Sequence, residues 1–520
     1  MKILYNAHIH TLDPHCPTAS VIVIDRERVF AVGRPELLES FPQAGREDMG
    51  ERVILPGLTD AHIHLEKYAL GLQKIDLESA TDEQCLRQIE ERAARVAPGA
   101  WVLGHGWTTS PPPFTGELGG AVPIYLTAKS LHAAWANTTA LRMAGIGPGS
   151  PDPFDGKIVR DESGQPNGIL LEGAIRLVES IIPQPGPDEV SAAMEAAQPI
   201  LWKMGLTGVH DFDGRTSFMA LQSMDTCGTL KLRVLKSIPL ELLPQARALG
   251  LRSGFGNERL RIGSVKIFMD GALGQHTAAM LHPYLNEPAN RGMLHMDGET
   301  FAEHGRQAAD AGLSMAVHAI GDRAVHEVLD GFEQLRAYER ERRLPALRHR
   351  IEHVQVIHPD DACRLGDMGI IASMQPIHAL SDMAAADLSW GERARLAYAW
   401  RTQAGHGARL AFGSDAPVES PNPFWGLRAA VTRRRPDGSP GPEGWYPEER
   451  LSMQAALEGY TVGPAYAAGM EDRLGRLAPG YAADLIVIEK DPFACLPDDL
   501  LSLTCSATML AGEWLWQGLS

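Results

Sequence analysis

His62 and His64 stand one residue apart at the end of the apolar run Val53-Ile-Leu-Pro-Gly-Leu-Thr-Asp-Ala-His-Ile-His64. Such a run forms a buried strand. Side chains alternate faces along a strand, so the two imidazoles share one face while Ile63 points away. Two imidazoles side by side at a strand end can bind one metal ion. The pattern alone is a weak signal, and the chain repeats it at His8 and His10. The second pair gains weight from residues further along the chain. Lys266 lies in the apolar run Val265-Lys-Ile-Phe-Met-Asp270, His318 and His353 end two more such runs, and Asp415 ends Leu410-Ala-Phe-Gly-Ser-Asp415.

These residues need elements that bring them together. Strand-like apolar runs recur near His62, at 208–211, at 232–235, near Lys266, His318 and His353, at 370–374 and near Asp415. Helix-like stretches, such as 302–311 and 326–342, separate most of them. Eight strands with intervening helices fit an α/β fold of the (β/α)8 barrel type, in which the C-terminal strand ends converge on one face. A doubly wound sheet would need a glycine-rich phosphate loop after an early strand, and none stands there.

Short β-type runs at 1–5, 20–24 and 29–32 are mirrored by 483–488 and 507–511. Both termini are therefore expected to build one small sheet domain, residues 1–54 and 472–520, around a barrel at 55–471. Far more residues separate His64 from Val209 than one helix and two loops require. That stretch, about 66–200, holds Trp101, Trp107, Tyr125, Trp135 and Phe154 and is expected to be an inserted cap over the barrel mouth.

The chain has 520 residues, enough for more than one domain. A net charge of -17 argues against a nucleic-acid partner, which calls for a basic footprint. The six cysteines are scattered without a Cys-x-x-Cys pair, so reduced thiols in a cytoplasmic protein are expected. No signal-peptide pattern and no apolar stretch of membrane-spanning length is evident. The expected partner is a small-molecule substrate, without a membrane or nucleic acid, and a homodimer is the base-rate expectation.

The ordered set resembles the amidohydrolase superfamily, in particular the branch of N-substituted formamide deformylase and the YtcJ-like proteins. The resemblance is carried by Leu55-Pro-Gly-Leu-Thr-Asp-Ala-His-Ile-His64, Gly104-His-Gly-Trp107, Gly205-Leu-Thr-Gly-Val-His-Asp211, Val265-Lys-Ile-Phe-Met-Asp-Gly-Ala272, Val317-His-Ala-Ile-Gly-Asp-Arg323, Arg350-Ile-Glu-His353, Phe412-Gly-Ser-Asp415 and Gly475-Arg-Leu-Ala-Pro-Gly-Tyr-Ala-Ala-Asp-Leu485. It covers nearly the whole chain. It implies a metal-bearing barrel plus a small β-sandwich from both termini, with His62, His64, His318, His353 and Asp415 as metal ligands and Asp415 also as proton shuttle. Lys266 falls where related members carry a carboxylated lysine bridging two metals. The resemblance puts His8 and His10 in the sandwich, away from the metal.

The implied activity is hydrolysis of a C–N bond, of amide or formamide type, by metal-activated hydroxide. The implied cofactor is a divalent metal, zinc by expectation, at one or two per chain. A mononuclear deaminase-type hydrolase is the alternative, and a non-catalytic small-ligand-binding protein is a third reading. Two residues keep structural alternatives open: Asp415 suits a helix N-cap, and Lys266 suits an ion pair with Asp270. Further candidates for contacting substrate or orienting a ligand are Trp107, His132, Glu172, Asp211, Asp322, Arg323, Gln375 and His378. Glu352 points opposite His353 in a regular strand and is expected to be structural.

Overall fold

A computed structural model describes residues 1–78, 80–97, 99–107, 114–128, 133–154 and 156–518. Eight parallel strands run in chain order, each bonded to the next: Leu58–Ile63, Leu206–Asp211, Arg233–Pro239, Leu260–Phe268, Met315–Ala319, Arg350–His353, Ile371–Met374 and Leu410–Phe412. Most of their residues are buried, as parallel strands covered on both faces must be. The expected barrel is therefore present.

Its closure is made just beyond the last strand. Ile63 bridges Ala416 in parallel. The Asp415 amide donates to His62 O at 2.6 Å and the His64 amide to Ala416 O at 2.9 Å. Gly413 permits this approach, because a Cβ there would sit 2.4 Å from His62 N and 2.7 Å from Asp60 Oδ1. Closing the barrel thus places the first and eighth strand ends, with His62, His64 and Asp415, side by side.

The helices follow from their sequence period. Asp322–Arg342 buries Ala324, Val325, Val328, Leu329, Phe332 and Leu335, one stripe of a 3.6-residue period, and ends at Arg343 in the left-handed region (φ 56°). Its start fixes the segment immediately after His318.

The terminal segments form a second eight-stranded sheet. Its order is Glu513–Gln517, Cys505–Leu510, Leu485–Ile488, Val53–Pro56, Lys2–His10, Thr18–Asp25 and Arg28–Gly33, with Gly45–Asp48 also on Lys2–His10. Strand alternation sends Leu4, Ile22 and Ile24 into one apolar cluster with Ile54, Leu485 and Val487, and Ile3, Val21 and Val23 into another. Val53–Pro56 runs directly into the first barrel strand, so this sheet anchors the segment that carries His62 and His64.

Residues 69–193 make a compact unit of their own. Its six-stranded sheet runs Gly156–Arg160, Pro166–Glu172, Ala133–Ala136, Ile124–Ala128, Val102–Trp107, Ile75–Asp76. Trp107, Phe114, Leu126 and Trp135 pack in its core, and Thr81 and Gln84 form a capping box on the helix Asp82–Ala93.

Candidate metal centre

Asp415 Oδ1 lies 3.5 Å from His62 Nε2 and 3.5 Å from His64 Nε2. One carboxylate oxygen thus faces two imidazole nitrogens at the C-terminal mouth of the barrel, the face on which barrel chemistry sits. Asp415 reaches this position because its backbone takes φ 58° beyond the eighth strand. The same carboxylate also groups with ring nitrogens of His353 and His378, all within 4.8 Å of one another.

The ring nitrogens are held in a consistent pattern. His62 Nδ1 donates to Glu352 Oε2 at 2.6 Å and His64 Nδ1 to Asp213 Oδ1 at 3.0 Å. His353 Nδ1 donates to Gln375 Oε1 at 2.8 Å. His318 Nε2 donates to Gly271 O and His378 Nε2 to Ser414 O, each at 3.0 Å. Every one of these five imidazoles has one N–H committed to an acceptor, which leaves the other nitrogen with a lone pair. This is how metal-binding histidines are oriented, so the donor set fits a divalent ion.

Burial favours the neutral form of three of these rings, His62, His318 and His353. His62 and His353 are held well below the ordinary imidazole range, first by loss of solvent, with Lys266 adding to it. Burial, again with Lys266, pushes His318 down to about 3. Metal binding requires neutral imidazoles, so the environment favours it. His62 also stacks on Phe212, ring centroids 4.1 Å apart.

Lys266 is buried, with Nζ 4.7 Å from the Phe212 ring centre and 4.8 Å from that of Phe268. Burial lowers it to about 8. Asp270 is not its partner. Its oxygens accept from the backbone amides of Ala279, Ile320 and Gly321, and this carboxylate fixes the turn that follows His318.

Glu352 departs from the sequence expectation. In a regular strand it would face away from His353. His353 instead takes φ 75°, breaking the strand there, and both side chains address the barrel interior. Glu352 is fully buried and accepts from His62, from Ser373 Oγ at 2.6 Å and from Arg350 at 3.1 Å. Sequence reasoning also missed Asp213 and Asp60. Asp213 holds His64 and accepts from the Glu66 amide at 2.6 Å. Asp60 accepts from the amides of His62 and Ser414, both at 3.0 Å, and from Ser414 Oγ at 2.5 Å. An aspartate two residues before His62 was the one available signal for Asp60. Nothing local marks a carboxylate that reaches across from another strand.

The remaining candidates divide. Gln375 and His378 stand at the centre. Asp211 is spent elsewhere: it accepts from the Leu65 amide and Ser217 Oγ and pairs with Lys236 at 2.9 Å, so it positions strand ends instead of meeting substrate. Asp322 is buried and accepts from the Leu281 amide, also a positioning contact. Arg323 is exposed, and its nearest carboxylate is Glu327 at 3.7 Å. Trp107 is buried in the core of residues 69–193, its indole N–H donated to Leu126 O. Glu172 ends the strand Pro166–Glu172 with φ 49°. His132 lies outside the described residues. His10 bonds Asp491 and packs against the Phe493 ring at the terminal sheet.

Known proteins share this plan. The putative amidohydrolase YtcJ of Bacillus subtilis (strain 168) is 31% identical, over 99% of this chain and 99% of its own. N-substituted formamide deformylase of Arthrobacter pascens is 26% identical, over 98% and 97%. A crystal structure of an uncharacterized metal-dependent hydrolase from Pyrococcus furiosus superposes with a TM-score of 0.79 and 28% identity, covering 95% of this chain and 99% of that one. A family model described as Amidohydrolase family matches residues 47–515. The barrel, the histidine-aspartate mouth and these matches together establish that the chain belongs to the amidohydrolase family.

Proposed function

We propose that the chain hydrolyses a C–N bond, of amide or formamide type, in a small molecule, with Asp415 as the proton shuttle. The observation that carries this reading is the placement of Asp415 Oδ1 at 3.5 Å from the Nε2 atoms of both His62 and His64. A divalent ion bound there, zinc by preference, supplies acidification of water from a pKa of about 16 to about 7 and polarisation of a carbonyl.

The residues do the rest. His62, His64 and Asp415 would hold one ion, and His318 and His353 a second, with Lys266 between them as an N-carboxylated bridge. The lowered amine of Lys266 supports that modification, which needs an uncharged nitrogen. Asp415 takes a proton from the attacking water at its carboxylate and returns it to the departing nitrogen. Glu352 and Asp213 keep the His62 and His64 rings in the ligating orientation throughout. The deformylase relative supports the choice of bond. Six free thiols suit a reducing cytoplasm, and no described helix is long and apolar enough to cross a membrane.

The test is metal content per chain on protein purified without chelator, with intact mass under native conditions to detect carboxylated lysine. The same protein is then assayed for turnover of an amide, formamide and lactam panel. Bound divalent metal with hydrolysis of a panel member supports the reading. A loaded protein that cleaves none of them sinks it.

A further inference from the structure

The acceptors behind the five histidines are of two kinds. His62 and His64 donate to carboxylates, Glu352 and Asp213. His353, His318 and His378 donate to neutral oxygens: the Gln375 amide and the backbone carbonyls of Gly271 and Ser414. Asp270 comes within 3.7 Å of His318 Nε2, but its oxygens are occupied by three backbone amides. A carboxylate acceptor raises the basicity of the imidazole it holds, and with it the strength of the metal bond. A neutral acceptor orients the ring without that gain. Changes at such positions shift metal affinity by roughly 10–100-fold.

We propose that the centre holds two cation positions of unequal strength. The tight one is at His62, His64 and Asp415, the weaker and exchangeable one is at His318 and His353, and Gln375 sets the weakness of the second. This rests on the metal-centre reading under the proposed function.

Gln375 carries an independent mark. It is 1% exposed, its oxygen is committed to His353, and no described group accepts from its buried Nε2. A buried donor without a partner costs stability. An apolar side chain of similar volume would remove this donor but would strand the buried His353 Nδ1–H in its place, so the amide is there for its oxygen. Gln375 is a positioning residue that acts through His353.

The experiment is equilibrium dialysis of chelator-stripped protein against graded free zinc, counting ions bound per chain. Two waves of binding, separated by about 10-fold or more in free zinc, are expected for the unmodified chain. Gln375→Glu should move the second wave about 10-fold lower in free zinc and leave the first in place. Asp213→Asn should move only the first wave, about 10-fold higher. Gln375→Met, which leaves the His353 ring without its acceptor, should weaken the second wave and leave the first in place, a selectivity that a purely structural role does not give. Two coincident waves, or a Gln375→Glu chain whose second wave does not move, overturns the proposal. A single tight ion unaffected by Gln375 overturns it while leaving the hydrolase intact. A chain that takes up no metal at all removes the metal-centre reading as well. The Asp213 arm decides the matter if the glutamate variant does not fold.

Discussion

Glu352 Oε2 lies 2.6 Å from His62 Nδ1, and the barrel buries both residues almost completely. Replacing Glu352 by Gln keeps the shape and removes the charge. The amide retains an acceptor oxygen but leaves Arg350 without its buried counter-charge. Metal affinity at the first position should fall by roughly 10–100-fold, read by competition with a chelator of known affinity. Affinity unchanged within about twofold would mean that the carboxylate serves the fold alone.

Asp415→Asn tests proton transfer. The amide occupies the same space and cannot accept a proton from water. Turnover should drop by about 10²–10⁴-fold, with the far-ultraviolet circular dichroism spectrum unchanged. Activity that survives at the original level would remove Asp415 from the chemistry.

Acidity gives a third prediction, made for metal-free protein. His318 titrates at about 3 when folded, against an ordinary value of 6.5. Between those values the unfolded chain binds the extra proton, so the contribution of this ring is present above 6.5 and lost as pH falls. His318→Gln lacks that loss. The melting-temperature gap between unmodified chain and variant should therefore shift in favour of the variant from about pH 7 to about pH 5. A gap independent of pH would show that the folded ring takes a proton as readily as the unfolded one.

Gly413→Ala addresses closure of the barrel. The added Cβ meets His62 N and Asp60 Oδ1 at 2.4 and 2.7 Å, and the first of these is backbone that cannot step aside. Destabilisation of about 1–3 kcal/mol is expected, together with weakened metal retention, because the strain falls on the strand that carries His62. Thermal denaturation and metal analysis on the same preparation check both. A variant as stable as its parent would show that the strand ends separate freely.

The candidate ligands were legible because each lies in or ends a buried strand, and strands announce themselves through apolar runs. His62, His64, Lys266, His318, His353 and Asp415 could be singled out from that alone, and so could the eight-stranded barrel. The groups behind them could not. Asp213 and Glu352 reach His64 and His62 from positions 149 and 290 residues away along the chain. No local spacing records such a contact. Glu352 escapes the alternation rule for a specific reason: the rule fails where His353 turns to φ 75°. Asp211 and Trp107 show what the sequence leaves out in the other direction. A polar or aromatic residue near a strand end looks available until its partners, Lys236 and Leu126 O, are seen.

The pairing of Val53–Pro56 with Leu485–Ile488 has a consequence for how the chain is made. The lead-in to the first barrel strand leaves the ribosome long before its antiparallel neighbour. Throughout that interval Val53–Pro56 has Lys2–His10 on one side and an open edge on the other, which is a template for wrong partners. The segment that leads into His62 and His64 therefore gains this second neighbour only after every barrel strand has been made, so the support behind the barrel mouth is completed from the far end of the chain.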